Sequence, residues 1–354
     1  MSTLFSPFTI KGITLKNRII VSPMCQYSAV DGFANDWHLV HLGSFAIGGA
    51  ALIFVEATGV SPEGRISAAD LGLWKDEHIE KLNQINTFLK QQGSIPGIQL
   101  AHAGRKASTM VPWEGRDEVK IEDGGWQTVA PSAIPYSDSY PKPVALDQNG
   151  IQKVISDFKS ATERALKAGF EVIEIHASHG YLLHQFLSPL ANQRTDEYGG
   201  NFENRIRLLL EVVESVQSVL PKENPLFIRI PGTDWAESGW TPQDASALGK
   251  VLKDNGVDVL DVTSGGLVHH QKIAIGPAYQ TPFAAKVKRE TGAVTSTVGL
   301  ITNATQAESI LVNEEADLVM LAREFLRDPH FPLRAAYELK ENTDWPLQYE
   351  RAKW

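Results

Sequence analysis

His176, His179 and Tyr181 close the stretch EVIEIHASHGY at residues 171–181. Val172, Ile173 and Ile175 before them make the pattern of a buried strand ending at a polar edge. Imidazoles at such an edge can donate to an oxygen, ligate a metal or move a proton, and a phenol beside them can serve as an acid. Gly180 lets the chain turn between the second histidine and the tyrosine.

Eight stretches rich in β-branched residues alternate with amphipathic helical stretches along the chain. The strands are read at 18–24, 51–59, 96–102, 170–177, 225–232, 257–266, 294–300 and 316–324, and the last helix at 332–339. Several strands are almost continuously apolar, as burial on both faces requires. Eight such units predict an α/β fold, a (β/α)8 TIM barrel occupying residues 1–354 as one domain. A loop-rich insertion is expected after strand three, at about residues 104–144. A doubly wound sheet is the second choice, but IIVSPMCQYS has no glycine-rich turn after the first strand.

The active site of such a barrel lies at the C-terminal strand ends. There the sequence places Pro23, Met24, Cys25 and Tyr27 after strand one, and Ala57 and Thr58 after strand two. Gln99, His102, Arg105 and Lys106 come with strand three, and the histidine pair and Tyr181 with strand four. Arg229 belongs to strand five, Ser264 to Gly266 to strand six, Gly299 to strand seven, and Ala322 and Arg323 to strand eight. Glycine and arginine at the last two positions suit a phosphate; the plainer reading is a turn at Gly299 and a carboxylate partner for Arg323.

Three chemistries compete for this mouth. Zinc wants a third ligand, and two histidines three apart have none in view. A Schiff base wants a lysine inside the barrel, and strands five to eight carry none. A flavin fits better. Gln99 would meet its pyrimidine edge, and Arg229 would stabilise charge developing at N1 and O2. Gly299 and Arg323 would hold its phosphate, and the histidines would donate to an oxygen of a ligand stacked on the ring.

With 33 Lys+Arg against 42 Asp+Glu, the net charge of −9 argues against nonspecific nucleic-acid or anionic-membrane partners. The single cysteine, Cys25, excludes a disulfide or a four-cysteine cluster within one chain. The longest uncharged apolar stretch, residues 42–55, falls short of the roughly 20 residues of a membrane span. The opening residues lack a basic start and apolar run, so no signal peptide is expected and the cytoplasm is the expected location.

LKNRIIVSPMCQYSA, GIQLAHAGRKA, EIHASHGYLLHQFLSPLANQRTDEYGG, VGLIT and DLVMLAREFLRDP, spread over nearly the whole chain, resemble the old yellow enzyme family of FMN-dependent ene-reductases. SPMCQYS and the ending LQYERAKW are similar to its thermophilic-like branch, which includes xenobiotic reductases. The resemblance implies FMN as tightly bound cofactor, NADPH or NADH as hydride donor, and an activated alkene as substrate. By position it implies that Ser22, Pro23, Met24 and Cys25 line the flavin, with Cys25 near N5. It gives Ala57 and Gln99 to the ring, Arg229 to its pyrimidine end, and Ala322 and Arg323 to the phosphate. His176 and His179 would hold the substrate oxygen, Tyr181 would donate the proton, and Tyr27 would reach the substrate from the other side. Arg351 would enter a neighbouring subunit's site in a homodimer or homotetramer. The family commonly has Gly-Arg where this chain has Ala322-Arg323, and its iron–sulfur relatives are excluded by the lone cysteine. A flavin-binding sensor or store is the alternative, disfavoured because a store needs no acid.

Overall fold

The computed structural model describes residues 2–115 and 117–354. Eight parallel strands close into a barrel in sequence order. They are β1 (Ile19–Val21), β2 (Leu52–Gly59), β3 (Ile95–Ala101), β4 (Val172–His176), β5 (Leu226–Pro231), β6 (Val259–Thr263), β7 (Val294–Thr297) and β8 (Leu318–Leu321). Pairing of Val319 with Ile19 shuts the ring. The expected (β/α)8 barrel is therefore what the chain forms.

Seven helices return the chain between strands and an eighth follows β8: α1 (Asp36–Ile47), α2 (Ile79–Gln91), α3 (Gln148–Lys167), α4 (Phe202–Gln217), α5 (Pro242–Asp254), α6 (Thr281–Thr291), α7 (Ala304–Val312) and α8 (Phe331–Glu338). Local chemistry sets where they start. Asn35 and His38 form a capping box on α1, Thr241 and Asp244 another on α5 with Pro242 in its first turn, and Asp147, Asn201 and Asn303 cap three more.

The period-two alternation sorts each strand into two faces. Ile173, Ile175, Ile228, Ile230, Leu260 and Val262 pack outward into the layer shared with the helices. Val172, Phe227, Val259, Leu52, Phe54 and Met320 fill the barrel's N-terminal half. Phe8–Ile10 and Ile13–Leu15 pair as an antiparallel hairpin, and Ile10, Ile13 and Leu15 join that inner cluster as its plug. The sequence does not announce this hairpin, because three-residue strands are too short to show a period.

Several strands end sooner than their apolar runs suggest. β1 stops at Val21, β6 at Thr263, β7 at Thr297 and β8 at Leu321. Beyond those points the chain leaves the ladder to build the mouth, so the apolar run outlasts the pairing. Arg323 opens a short helix, Arg323–Arg327, and Tyr181 precedes another, Leu182–Leu187. The insertion after β3 carries a two-residue parallel pair, Val129–Ala130 with Val144–Ala145. No helix among the described residues is long and apolar enough to cross a membrane.

Candidate active site

Charge is stacked on charge inside the barrel. Glu174, Arg229 and Asp261 sit mid-strand on neighbouring strands, all buried and one layer above the apolar fill. The Arg229 Nε donates to Asp261, and Nη2 donates to Ser22 Oγ at 2.9 Å. Glu174 Oε1 stands 3.7 Å from the same Nε and accepts from Gln99 Nε2 at 2.6 Å, while its Oε2 has no partner among the described residues. Ser296 Oγ donates to Asp261 at 2.9 Å. One guanidinium thus serves two buried carboxylates. Burial, with Asp261 adding and Arg229 opposing, pushes Glu174 up to about 8. Burial opposes the Arg229 charge too, but Asp261 and Glu174 outweigh it and hold the guanidinium above its usual range.

The histidines occupy the next layer up. Ser178 N–H donates to His176 Nδ1 at 3.2 Å, which leaves the proton on Nε2. That Nε2 faces His179 Nδ1 at 3.3 Å, and His179 Nε2 meets Thr263 Oγ1 at 2.6 Å. Because His176 Nε2–H donates to His179 Nδ1, His179 carries its own proton on Nε2 and donates it to Thr263 Oγ1; reversing that hydroxyl would move the proton to Nδ1 and give a ligand oxygen two N–H donors. Burial first, then neighbouring positive groups including Arg229 and Lys106, hold both rings well below the usual histidine range. They are neutral donors at neutral pH.

The turn presenting them is tightly built. His179 and Gly180 are both left-handed, φ 55° and 74°. A Cβ on Gly180 would lie 2.1 Å from Gly266 O, so only glycine fits. Lys106 Nζ clamps the two loops by donating to His179 O at 2.9 Å and Gly266 O at 3.0 Å. His184 Nδ1 accepts from Gly180 N–H at 2.9 Å, and its Nε2 pairs with buried Asp234 at 2.8 Å. Between the two basic residues after β3, Lys106 therefore turns to the site, while buried Arg105 binds Leu267 O at 2.7 Å and Ile134 O at 3.2 Å.

Tyr181 packs edge-on to His176, ring centroids 5.0 Å apart, with Lys106 Nζ 5.1 Å from its ring centre. Burial holds its phenol well above the usual range, so it keeps its proton. Across the mouth, Tyr27 hydrogen-bonds Cys25 and packs against Trp113 of the insertion. Burial outweighs that bond and one from the Ala57 backbone, pushing the Cys25 thiol up; Asp70 and Glu56 add to the rise. The loop carrying Cys25 is held by Glu56, which accepts from Gln26 N–H at 2.9 Å and faces His38 Nε2 at 3.3 Å.

A cavity of about 180 Å³ runs from this cluster to the ends of β7 and β8. Ser22, Pro23, Arg229 and His179 line one end, and Gly299, Ala322 and Arg323 the other. Gly299 has φ 128°, and a Cβ there would crowd Gln280 and Tyr279 at 3.0–3.1 Å. Arg323 is exposed and makes no ion pair among the described residues, whereas nearby Glu324 is taken by Arg327 and Arg334. The carboxylate-partner reading of Arg323 thus fails. An elongated group with an anionic tail and a polar ring edge fits this trough, as FMN would.

Met24, Ala57 and Gln99 lie around the cluster rather than in the trough; Gln99 is bonded to Glu174. Arg351 is not brought to this mouth. It is exposed on the segment Leu347–Ala352, whose neighbours Tyr349 and Trp354 pack on His330 and on Tyr337 of α8. Reading strand ends alone overlooks Glu174, Asp261, Glu56 and Thr263. The signal is present, since an acid inside an apolar strand must be paired.

A sequence model of the NADH:flavin oxidoreductase / NADH oxidase family matches residues 3–342. An NADPH dehydrogenase of Geobacillus thermodenitrificans (strain NG80-2) is 48% identical over 352 residues, covering 99% of this chain and 98% of the relative. The structure of morphinone reductase superposes with a TM-score of 0.81 at 27% identity, covering 98% of this chain and 91% of that one. A 2-naphthoyl-CoA reductase complex superposes with a TM-score of 0.86 at 22% identity; this chain spans 52% of its length, and the likeness shows the fold alone. With the family match over almost its whole length, the chain belongs to the NADH:flavin oxidoreductase / NADH oxidase family, the old yellow enzymes among them, as an FMN-dependent NAD(P)H oxidoreductase.

Proposed function

We propose that the protein reduces the C=C bond of electron-poor alkenes, enones above all and nitro compounds as well, in a ping-pong cycle driven by NADPH or NADH. The observation that carries this is the pair of neutral imidazoles whose facing nitrogens stand 3.3 Å apart beside a protonated phenol. Bound FMN would supply the hydride chemistry, linking the nicotinamide to the alkene's β-carbon. With the Thr263 hydroxyl reversed, His176 Nε2–H and His179 Nδ1–H grip the activating oxygen and stabilise the charge that builds there, as an oxyanion hole does. Tyr181 delivers a proton to the α-carbon. Tyr27 borders the substrate from the opposite side. Ser22, Pro23, Met24, Cys25, Ala57, Gln99 and Arg229 would hold the ring, and Gly299, Ala322 and Arg323 the phosphate. Cys25, kept as a thiol, would tune the ring from beside N5.

Removing one histidine tests the grip. His176→Ala is expected to slow enone reduction about 10²–10³-fold, the effect of losing one oxyanion donor. Reduction of the flavin by NADPH should hold its rate. Full enone turnover in the variant lacking both histidines would refute the role.

The visible spectrum tests the function directly. Anaerobic NADPH should bleach the flavin bands and cyclohexenone should restore them. Bands that bleach and stay bleached would leave a flavin reductase with another acceptor. Arg351, outside its own chain's mouth and exposed, supports insertion into a neighbouring copy's site within a homodimer or homotetramer.

A further inference from the structure

A phenol that gives away a proton must get one back before it can act again, and the half-buried Tyr181 borders a second titratable group. A small cavity of about 10 Å³ lies against it. That is the size one water molecule occupies. Its lining is Ala57, Gly59, Gly64, Ile66, Ala101, Ala103, Tyr181 and one ionisable group besides the phenol, Asp70.

Asp70 is an unusual residue to find there. Its side chain is 2% exposed, and no cation binds it among the described residues. Its oxygens accept from Ile66 N–H at 2.7 Å, Ser67 N–H at 3.2 Å and Ser67 Oγ at 2.8 Å. These bonds fix the carboxyl in the wall of the cavity. The charged and titratable groups around it are Glu56 from β2, Cys25 from the loop after β1, Arg65 from its own loop, and Tyr181.

We propose that Asp70 resupplies the proton of Tyr181 through a water in this cavity. The step rests on the reading of Tyr181 as proton donor. The Tyr181 phenolate left after turnover takes a proton from the water as its O–H forms. The water takes the Asp70 carboxyl proton in the same movement. The Asp70 carboxylate then regains a proton from solvent, and no co-reactant is needed. Burial, with Glu56 adding and the bonds from Ser67 and Ile66 opposing, raises Asp70 to about 7, so it holds and releases a proton near neutrality. Because its acid form is the supplier, resupply is fast below about pH 7 and slows above it.

The test separates the first turnover from the reprotonation that comes after it. Holoenzyme reduced beforehand meets one equivalent of cyclohexenone, and a pH indicator in weak buffer reports proton uptake from solvent. Asp70→Asn is expected to reduce that first equivalent within about threefold of the unaltered rate, because Tyr181 starts protonated. Proton uptake afterwards should lag by at least about a hundredfold, the low side of a general acid's contribution. Asp70→Glu should restore it. Equal slowing of both phases would make Asp70 a mere support of the 66–70 turn and overturn the proposal, as would uptake that keeps pace in Asp70→Asn. Should the variants fail to fold, the unaltered protein still decides. Uptake that does not slow as pH rises through about 7 refutes the relay. A Tyr181→Phe protein whose first turnover is unimpaired would instead refute the donor reading on which the relay depends.

Discussion

Tyr181→Phe holoenzyme should reduce activated alkenes about 10²–10⁴-fold more slowly, the usual contribution of a positioned general acid, while its flavin is reduced by NADPH at the unaltered rate. The split arises because the substitution leaves so much alone. Phenylalanine keeps the ring, so the edge contact to His176 at 5.0 Å and the Lys106 ammonium 5.1 Å from the ring centre both survive. The histidine pair is anchored by Ser178 and Thr263, not by the phenol. Only the transferable proton is lost. Stopped-flow absorbance of the two half-reactions measures each separately. Equal losses in both would mean that the ring shapes the nicotinamide's pocket and that the proton comes from elsewhere. The pH dependence offers a second check. Burial raises the Tyr181 pKa, so its acid form persists through neutrality and the alkene step should weaken only in strongly alkaline solution. The neutral imidazoles are poor substitutes as acids, because both rings resist protonation.

The barrel was legible because its strands obey a rule that needs no tertiary information. Residues such as Ile173, Ile175, Ile228 and Ile230 are apolar because they face helices, and Val172 and Phe227 because they face the inner fill. The site's upper rim was legible for the same reason, since it starts where the apolar run stops. His176 ends β4, and Gly299, Ala322 and Arg323 stand just past β7 and β8. Two things were not legible. The hairpin at Phe8–Ile10 and Ile13–Leu15 seals the barrel through contacts more than a hundred residues away in sequence, and its own six residues carry no periodic signal. The ionic layer was hidden differently. Glu174, Arg229 and Asp261 are each visible as one charge in an apolar strand, yet the register that puts them side by side exists only once the ring has closed. From sequence, Arg229 is a ligand for a ring or else a structural ion pair. The geometry makes it both: an ion pair to Asp261, and part of the trough's lining.

That double duty sets the second large effect. Arg229→Met should destabilise the fold by about 3–5 kcal/mol at neutral pH, the cost of breaking a buried ion pair from one side. Methionine fills much of the same space, so the loss is electrostatic rather than a cavity. There remain Glu174 and Asp261 facing each other without a cation, in a layer where, among the described residues, Gln99 and Ser296 donate to them. The pH dependence identifies the cause. Folding raises Glu174 from the ordinary carboxyl value of 4.5 to about 8 even with Arg229 present. A group that binds its proton more tightly in the native state than in the unfolded chain favours folding most below its unfolded pKa, and that support fades as pH rises toward its folded pKa. Removing the guanidinium tightens the proton's hold further. The deficit of Arg229→Met should therefore be smaller near about pH 6, where Glu174 is neutral in both proteins, and larger near about pH 10, where the unaltered protein ionises it against Arg229 and the variant has no cation to receive the charge. Thermal unfolding of both proteins, stripped of flavin and compared at those two pH values, measures this. A deficit that stays constant with pH would show that the arginine is not there to balance the carboxylates. Adding Asp261→Asn to Arg229→Met should then recover part of the lost stability, because one uncompensated charge has been taken out of the barrel along with the cation that matched it.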